Sequence, residues 1–176
     1  DNITKYVAAH LFVEKRTKKK CVEFLSQIKE TCYSQILTKY FIRKYGNKNA
    51  KLITFVCDGF QNYKSAWSKL FYRVSKLQFG VPIACKKYNL EHNNNPIERY
   101  NGKIKDRLNA MRGEFKRFES AKDFMNLQHI INNFVNPHQE LEGKTPSEKA
   151  EIKLNLGRNK LLDLIRFVID NYVSIT

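Results

Sequence analysis

The run Leu52-Ile53-Thr54-Phe55-Val56-Cys57, closed by Asp58-Gly59, constrains the architecture more than any other part of the chain. It does not alternate between apolar and polar residues, as a strand with one wet face does. A short and nearly continuous apolar run suits a strand buried on both faces of a largely parallel sheet. Parallel neighbours cannot be joined by a tight hairpin, and each crossover takes a dozen residues or more, usually a helix. The remainder of the chain is therefore expected to interleave strands with helices.

The flanking patterns agree. Thr4 to Val13 is apolar and β-rich and predicts a strand. After the basic stretch Lys15 to Lys20, Thr17 is placed to cap a long helix. Its apolar positions Val22, Leu25, Ile28, Cys32, Ile36 and Tyr40 recur at helical spacing, and Gly46 with Asn47–Asn49 ends it. Beyond Gly59, Tyr63, Ala66, Trp67, Leu70 and Phe71 share one helical face, which makes Trp67 a core residue rather than a base-stacking platform. Val74 to Leu77 and Val81 to Cys85 read as short strands around Gly80 and Pro82. The polar loop His92-Asn93-Asn94-Asn95 leads into Pro96, which suits the first turn of a helix. That helix turns Ile97, Ile104, Leu108 and Met111 inward and ends near Gly113. A further helix from about Glu119 to Val135 carries Ala121, Phe124, Leu127, Ile130, Ile131 and Phe134 inward and stops at Pro137. Gly143 to Pro146 forms a turn, Ser147 caps a short helix, and a last apolar stretch runs from Leu161 to Val173. Strands alternating with helices, followed by helices only, describe an α/β sheet with a helical tail.

At 176 residues and 42% hydrophobic, the chain has the size of one domain with an appended piece and enough apolar surface for a core. Lys and Arg outnumber Asp and Glu by 32 to 17, a net charge of +15, so a polyanionic partner is expected. No run approaches the roughly 18 apolar residues of a spanning helix, and no signal segment opens the chain, which leaves nucleic acid rather than a membrane. Cys21, Cys32, Cys57 and Cys85 have no paired metal spacing and read as reduced thiols of an intracellular protein. The chain opens on Asp1 rather than Met, as an excised domain or trimmed product does.

Two carboxylates stand where chemistry collects. Asp58 ends the buried strand, and in open α/β sheets functional groups gather beyond the carboxyl ends of strands; Gly59 after it lets the backbone turn tightly. Glu98 lies in the first turn of the helix after the asparagine loop. Lys105, seven residues on, falls on the same helical face about two turns away. An acid suited to a hard divalent cation, with a cation able to hold a phosphate, is what phosphoryl transfer on nucleic acid requires. Taken singly, each has a plainer reading: Asp58-Gly59 as a turn, Glu98 as an acid favoured by the helix dipole, Lys105 as a solvated cation.

Together the segments resemble a known family. Asp58-Gly59 after a buried strand, then Asn93-Asn94-Asn95-Pro96-Ile97-Glu98-Arg99-Tyr100-Asn101-Gly102-Lys103-Ile104-Lys105, resembles the second and third acidic sites of DDE insertion-sequence transposases and retroviral-type integrases. Met111-Arg112-Gly113 with Phe115 resembles that family's arginine-glycine-phenylalanine stretch. Asn132-Asn133-Phe134-Val135-Asn136-Pro137-His138, with Leu141, Gly143-Lys144-Thr145-Pro146 and Ala150, resembles its closing signature. The likeness implies an RNase H-like mixed sheet flanked by helices, spanning residues 1–152 as a catalytic core, with 153–176 as a C-terminal helical extension. It implies two Mg²⁺ (or Mn²⁺) ions and strand transfer at transposon ends, with Asp58, Glu98 and Lys105 catalytic, and Asp58 and Glu98 as metal ligands. Arg99, Lys103, Lys105, Arg112, Lys116 and Arg117 are the expected DNA contacts. The family's first acid lies on an opening strand, whereas Asp1 to Arg16 resembles its second strand. That acid is expected upstream, with Asp1 as the alternative. The expected partners are DNA and further copies of the chain, with no membrane and no small-molecule substrate, in the cytoplasm or nucleoid of a prokaryote.

Two rival readings differ in class. One is a decayed or domesticated transposase that binds DNA through its basic surface without cutting it. The other is a basic helical interaction module. His92 and His138 read as loop and turn residues, and His10 and His129 as structural.

Overall fold

The computed structural model describes residues 1–80, 95–111, 115–152 and 154–173. The chain divides into two units, residues 8–110 and residues 1–7 with 111–176.

Residues 8–110 begin with helix α1, Lys18–Phe41. Thr17 is its cap: extended at φ −84° and ψ 162°, it accepts the Lys20 N–H through Oγ1 at 3.3 Å. The helix runs into a wider π-helical turn, Ile42–Gly46, before Asn47 leaves the spiral. Strand β1 is Thr54–Cys57, helix α2 is Gln61–Phe71, and strand β2 is Lys76–Phe79. The two strands pair in parallel, Thr54 opposite Lys76 and Cys57 opposite Phe79, with α2 as the crossover. The apolar run thus gives a parallel strand, although its residues are half-buried rather than sealed on both faces.

The core here is apolar. Cys21, Leu25 and Ile36 of α1 meet Ala66 and Phe71 of α2 and Val74, with Ile28, Cys32, Tyr40, Phe55 and Trp67 packed around them. Phe71 is 1% exposed and lies 4.7 Å, centroid to centroid, from Phe55 of β1. Trp67 belongs to this core and satisfies its indole by donating Nε1–H to Ser75 Oγ at 3.0 Å. Val74 and Ser75, expected to open the second strand, instead turn inward as their N–H groups bond the Phe71 carbonyl, so pairing starts two residues later at Lys76. The expected strand Val81 to Cys85 lies outside the described residues. Helix α3, Asn95–Ala110, buries Ile104 and half-buries Tyr100 and Leu108, whereas Ile97 and Met111, read as inward, are exposed.

The second unit carries helix α4, Phe118–Ile130, a π-helical turn Ile131–Val135, a 3₁₀ turn Gln139–Leu141, helix α5, Pro146–Lys149, and helix α6, Lys160–Val173. The buried face of α4 and its π turn is Ala121, Gln128, Asn132 and Asn133; Leu127 and Ile130, expected inward, face solvent. Thr145, not Ser147, caps α5. Its Oγ1 accepts the Glu148 N–H while the Glu148 carboxylate accepts the Thr145 N–H at 2.8 Å, a closed capping box with Pro146 in the first turn. Ser147 lies inside the helix, its hydroxyl 3.0 Å from that of Thr145.

The segment Thr4 to Val13 forms no strand. Lys5 stands in the left-handed region at φ 58°, which breaks an extended run. Next to it, the Asn133 side chain takes the place of a neighbouring strand: Oδ1 accepts the Val7 N–H at 3.0 Å and Nδ2 donates to the Val7 carbonyl at 2.9 Å. β-Propensity without a ladder partner yields an extended tether rather than a strand.

Candidate active site

Asp58 follows the last residue of β1, where the sheet edge opens to solvent, and its side chain is half-exposed. The turn beyond it is made by the carboxylate itself, whose Oδ1 accepts the Phe60 N–H at 3.1 Å. Gly59 has no neighbour within 4 Å of the position a Cβ would take, and its φ is not positive. It leaves room beside Asp58, while the tight turn belongs to Asp58. From β2, the Gly80 N–H reaches the Asp58 carbonyl at 3.4 Å.

Arg16, which the sequence offers only as one cation of a basic run at a helix entrance, is placed beside Asp58. Its Nη1 lies 3.6 Å from Asp58 Oδ2, and its guanidinium sits 4.7 Å above the Phe60 ring. The Asn62 side chain donates to the Arg16 carbonyl at 3.3 Å, fixing the backbone just before the α1 cap. A cation is thus stacked beside the candidate metal ligand by contacts that do not depend on that ligand. Long-range ion pairing has no spacing signature; the available signal is Arg16's place in a basic run, directly before a helix cap.

The thiols nearby are quiet. Burial, helped by the Asp58 charge, pushes Cys57 up to about 11. Burial likewise raises Cys21, against the pull of Arg16. Both remain protonated at neutral pH and are poor nucleophiles and metal ligands. The described cysteines Cys21, Cys32 and Cys57 are all free thiols.

Glu98 stands in the first turn of α3, exposed. At about 100° per residue, Asn101, Gly102 and Lys105 share its face, and Arg99 and Lys103 lie roughly a third of a turn round. Lys105 is two turns along, an axial rise of about 10 Å. Gly102 has open space around its Cβ position, so no side chain grows from that place on the face. Tyr100, on the buried side, has its hydroxyl enclosed with no hydrogen-bond partner among the described residues, and burial raises its pKa.

Asp1 is occupied locally: its carboxylate accepts the Thr4 N–H at 2.9 Å and the Thr4 hydroxyl at 2.6 Å, closing the first turn. Lys116 and Arg117 are exposed just before α4, with Arg117 as its cap residue. Arg112 and His92 lie outside the described residues. His138 shapes a turn through its backbone, bonding Lys144, Leu141 and Gly143, and His129 Nε2 lies 3.2 Å from Asn133 Nδ2.

The donor chemistry at Asp58 and Glu98 suits a hard cation. Both are solvent-accessible carboxylates, and Mg²⁺ takes one or two of these while keeping most of its waters. Among the described residues no group of three or more His, Cys, Asp and Glu is disposed to hold a metal ion. No helix among them is long and apolar enough to cross a membrane.

Comparison with known proteins is decisive for the family. No curated protein and no solved structure matches the chain. The DDE domain of insertion-sequence transposases matches residues 4–138, about three quarters of the chain and the stretch that carries Asp58, Glu98 and Lys105. The chain belongs to the DDE transposase domain family.

Proposed function

We propose that the chain is part of an RNase H-like DNA transposase core that nicks and joins phosphodiesters. The observation that carries this is the placement of Asp58 at the open end of a parallel strand and of Glu98 in the first turn of a helix, inside the family match. In this reading residues 1–152 are the core and 153–176 an extension.

Asp58 and Glu98 hold divalent metal, with a third acid supplied from upstream. Asp1 is the less suitable donor, because its carboxylate is engaged by Thr4. Mg²⁺ or Mn²⁺ bound there supplies Lewis-acid activation of water or a 3′-hydroxyl and neutralises charge on the leaving oxygen. Lys105 holds a phosphate along the α3 face that Gly102 leaves clear. Arg99, Lys103, Arg112, Lys116 and Arg117 contact the DNA backbone, which gives affinity without sequence information. Arg16 keeps the Asp58 carboxylate neutralised and oriented before metal enters. The partners are DNA and further copies of the chain, inside a prokaryotic cell.

The test uses the protein extended upstream through the strand bearing the third acid. Asp58→Asn and Glu98→Gln each lower Mn²⁺- or Mg²⁺-dependent nicking at least about a thousandfold, the scale of a missing metal ligand, and weaken Mn²⁺ binding measured calorimetrically. DNA affinity changes little. Nicking retained in either variant overturns the assignment.

The Arg16–Asp58 ion pair favours a second reading, a DNA-binding relic in which that cation has replaced metal. Such a protein binds DNA with no metal requirement and loses affinity with salt at a slope of about −0.9 per phosphate contacted.

A further inference from the structure

The segment from Thr31 to Cys57 contains no Asp or Glu, yet it carries Lys39, Arg43, Lys44, Lys48 and Lys51. In a chain of 17 acids, so long a stretch without one leaves the local field unopposed by any acid of the segment itself. These cations surround the end of α1 and its π-helical turn, Ile42–Gly46.

The same turn displays aromatic rings. Phe41 and Tyr45 stack with centroids 6.0 Å apart and planes within 19°, and Tyr45 is 73% exposed. Tyr40 meets Phe41 edge-on at 5.5 Å and packs on the core from its other side. The Lys44 ammonium sits 4.9 Å from the Tyr45 ring centre and 5.7 Å from that of Tyr40. Contact with the Tyr45 hydroxyl raises the Lys44 pKa, so it keeps its charge at neutral pH. Arg43 Nη1 donates to the Ala50 carbonyl at 3.2 Å and pins the loop that carries Lys48.

An exposed apolar ring is stabilised by burial, and an acid-free cation cluster by phosphates. A lone basic face satisfies duplex DNA; a stacked, exposed tyrosine beside it adds a platform that a paired base cannot use. Base–aromatic stacking with cations along the backbone is how single strands are held without sequence preference. We propose that the end of α1 is a single-stranded DNA contact, with an unpaired base on Tyr45 and Phe41 and phosphates on Lys39, Lys44 and Lys48.

This surface shares no residue with those assigned to metal and strand transfer, and its test needs no catalysis. Fluorescence anisotropy in EDTA compares a labelled 20-mer of oligothymidylate with a 20-base-pair duplex on the full chain. Tyr45→Ala weakens single-strand binding by roughly 5- to 150-fold, the range for removing one base–aromatic stack, and changes duplex binding less than about twofold. Tyr45→Phe keeps the affinity of the parent, which separates stacking from folding, and circular dichroism checks the helix content of each variant. Lys44→Gln with Lys48→Gln reduces the single-strand salt slope by about 1.4, at about 0.7 for each phosphate no longer neutralised. Unchanged single-strand binding in Tyr45→Ala, or equal losses on both DNAs, overturns the proposal. Either result leaves the roles of Asp58 and Glu98 untouched, because neither metal nor nicking enters the measurement.

Discussion

The two units bury different kinds of side chain. In residues 8–110 the groups withdrawn from solvent are Cys21, Leu25, Ile36, Ala66, Phe71 and Val74. In the other unit they include Gln128, Asn132, Asn133, Thr145 and Ser147, with Ala121 and Leu141 beside them. The first is held by area removed from water, which is non-directional and tolerates repacking of similar volume. The second is held by hydrogen bonds that must each find a partner, since a buried polar group left alone costs more than a made bond returns. The candidate acids Asp58 and Glu98 both fall in the unit with the apolar core, in which β1 and α2 meet around Phe71.

The largest expected effect tests the apolar side. Phe71 is almost wholly buried against Phe55 and Tyr33. Phe71→Ala is expected to cost about 3–5 kcal/mol through reduced apolar burial and a residual cavity, while Phe71→Leu keeps much of the volume and costs less. Urea unfolding followed by circular dichroism measures both. If the two variants are equally destabilised, area is not what holds this core.

The next effect tests the polar side, and its sign decides. Asn133→Leu keeps the branched outline of the side chain and replaces both polar atoms with methyl groups, so it should be near neutral or stabilising if Asn133 were merely tolerated there. The Asn133 side chain instead satisfies both backbone groups of Val7. The substitution is expected to destabilise by roughly 2–3 kcal/mol, the cost of stranding partly buried donors and acceptors. Faster hydrogen exchange at the Val7 amide would locate the loss, and a neutral or stabilised variant would remove the contrast between the units.

The same contrast explains what can be read from the amino acids. Apolar periodicity announces α1, α2, α3, α4 and α6 close to their observed bounds, and the continuous run at Leu52–Cys57 announces a parallel strand. Periodicity fails where hydrogen bonding chooses the buried face. Leu127 and Ile130 look like core residues by spacing, yet Gln128 and Asn132 take those places. Thr4 to Val13 has strand composition, but a ladder needs a partner strand, and a side chain 126 positions away fills that role. Asp58 and Glu98 are legible because a strand end and a helix first turn are local features. Arg16 is not, because nothing in sequence marks two residues that meet only after folding. Tyr45 and Phe41 escape for a different reason: they follow a helix pattern into a π turn, where the 3.6-residue count no longer says which side a ring faces.

The smallest expected effect lies in the polar unit and depends on pH. The Glu148 pKa is lowered from its ordinary 4.5 chiefly by hydrogen bonding to Lys160, and further by the Thr145 N–H. A depressed carboxylate pKa means the folded state favours the ionised form, so the contribution is complete above the unfolded value. It is lost as pH falls below about 4.5 and through the folded pKa. The pair is partly exposed, at 40% for the Glu148 side chain, so solvent screening keeps the effect to at most about 1 kcal/mol. Thermal unfolding from pH 7 to pH 3 should therefore show a stability gap between the parent and Glu148→Gln that is flat near neutrality and closes in acid. Salt should narrow most of that gap, because it screens the charge pair with Lys160, whereas Gln keeps an acceptor for the Thr145 N–H and with it the helix cap. A gap that salt leaves untouched would mean that charge is not what separates the two side chains. The order at α5 would then rest on the capping hydrogen bonds, which Glu and Gln can both make.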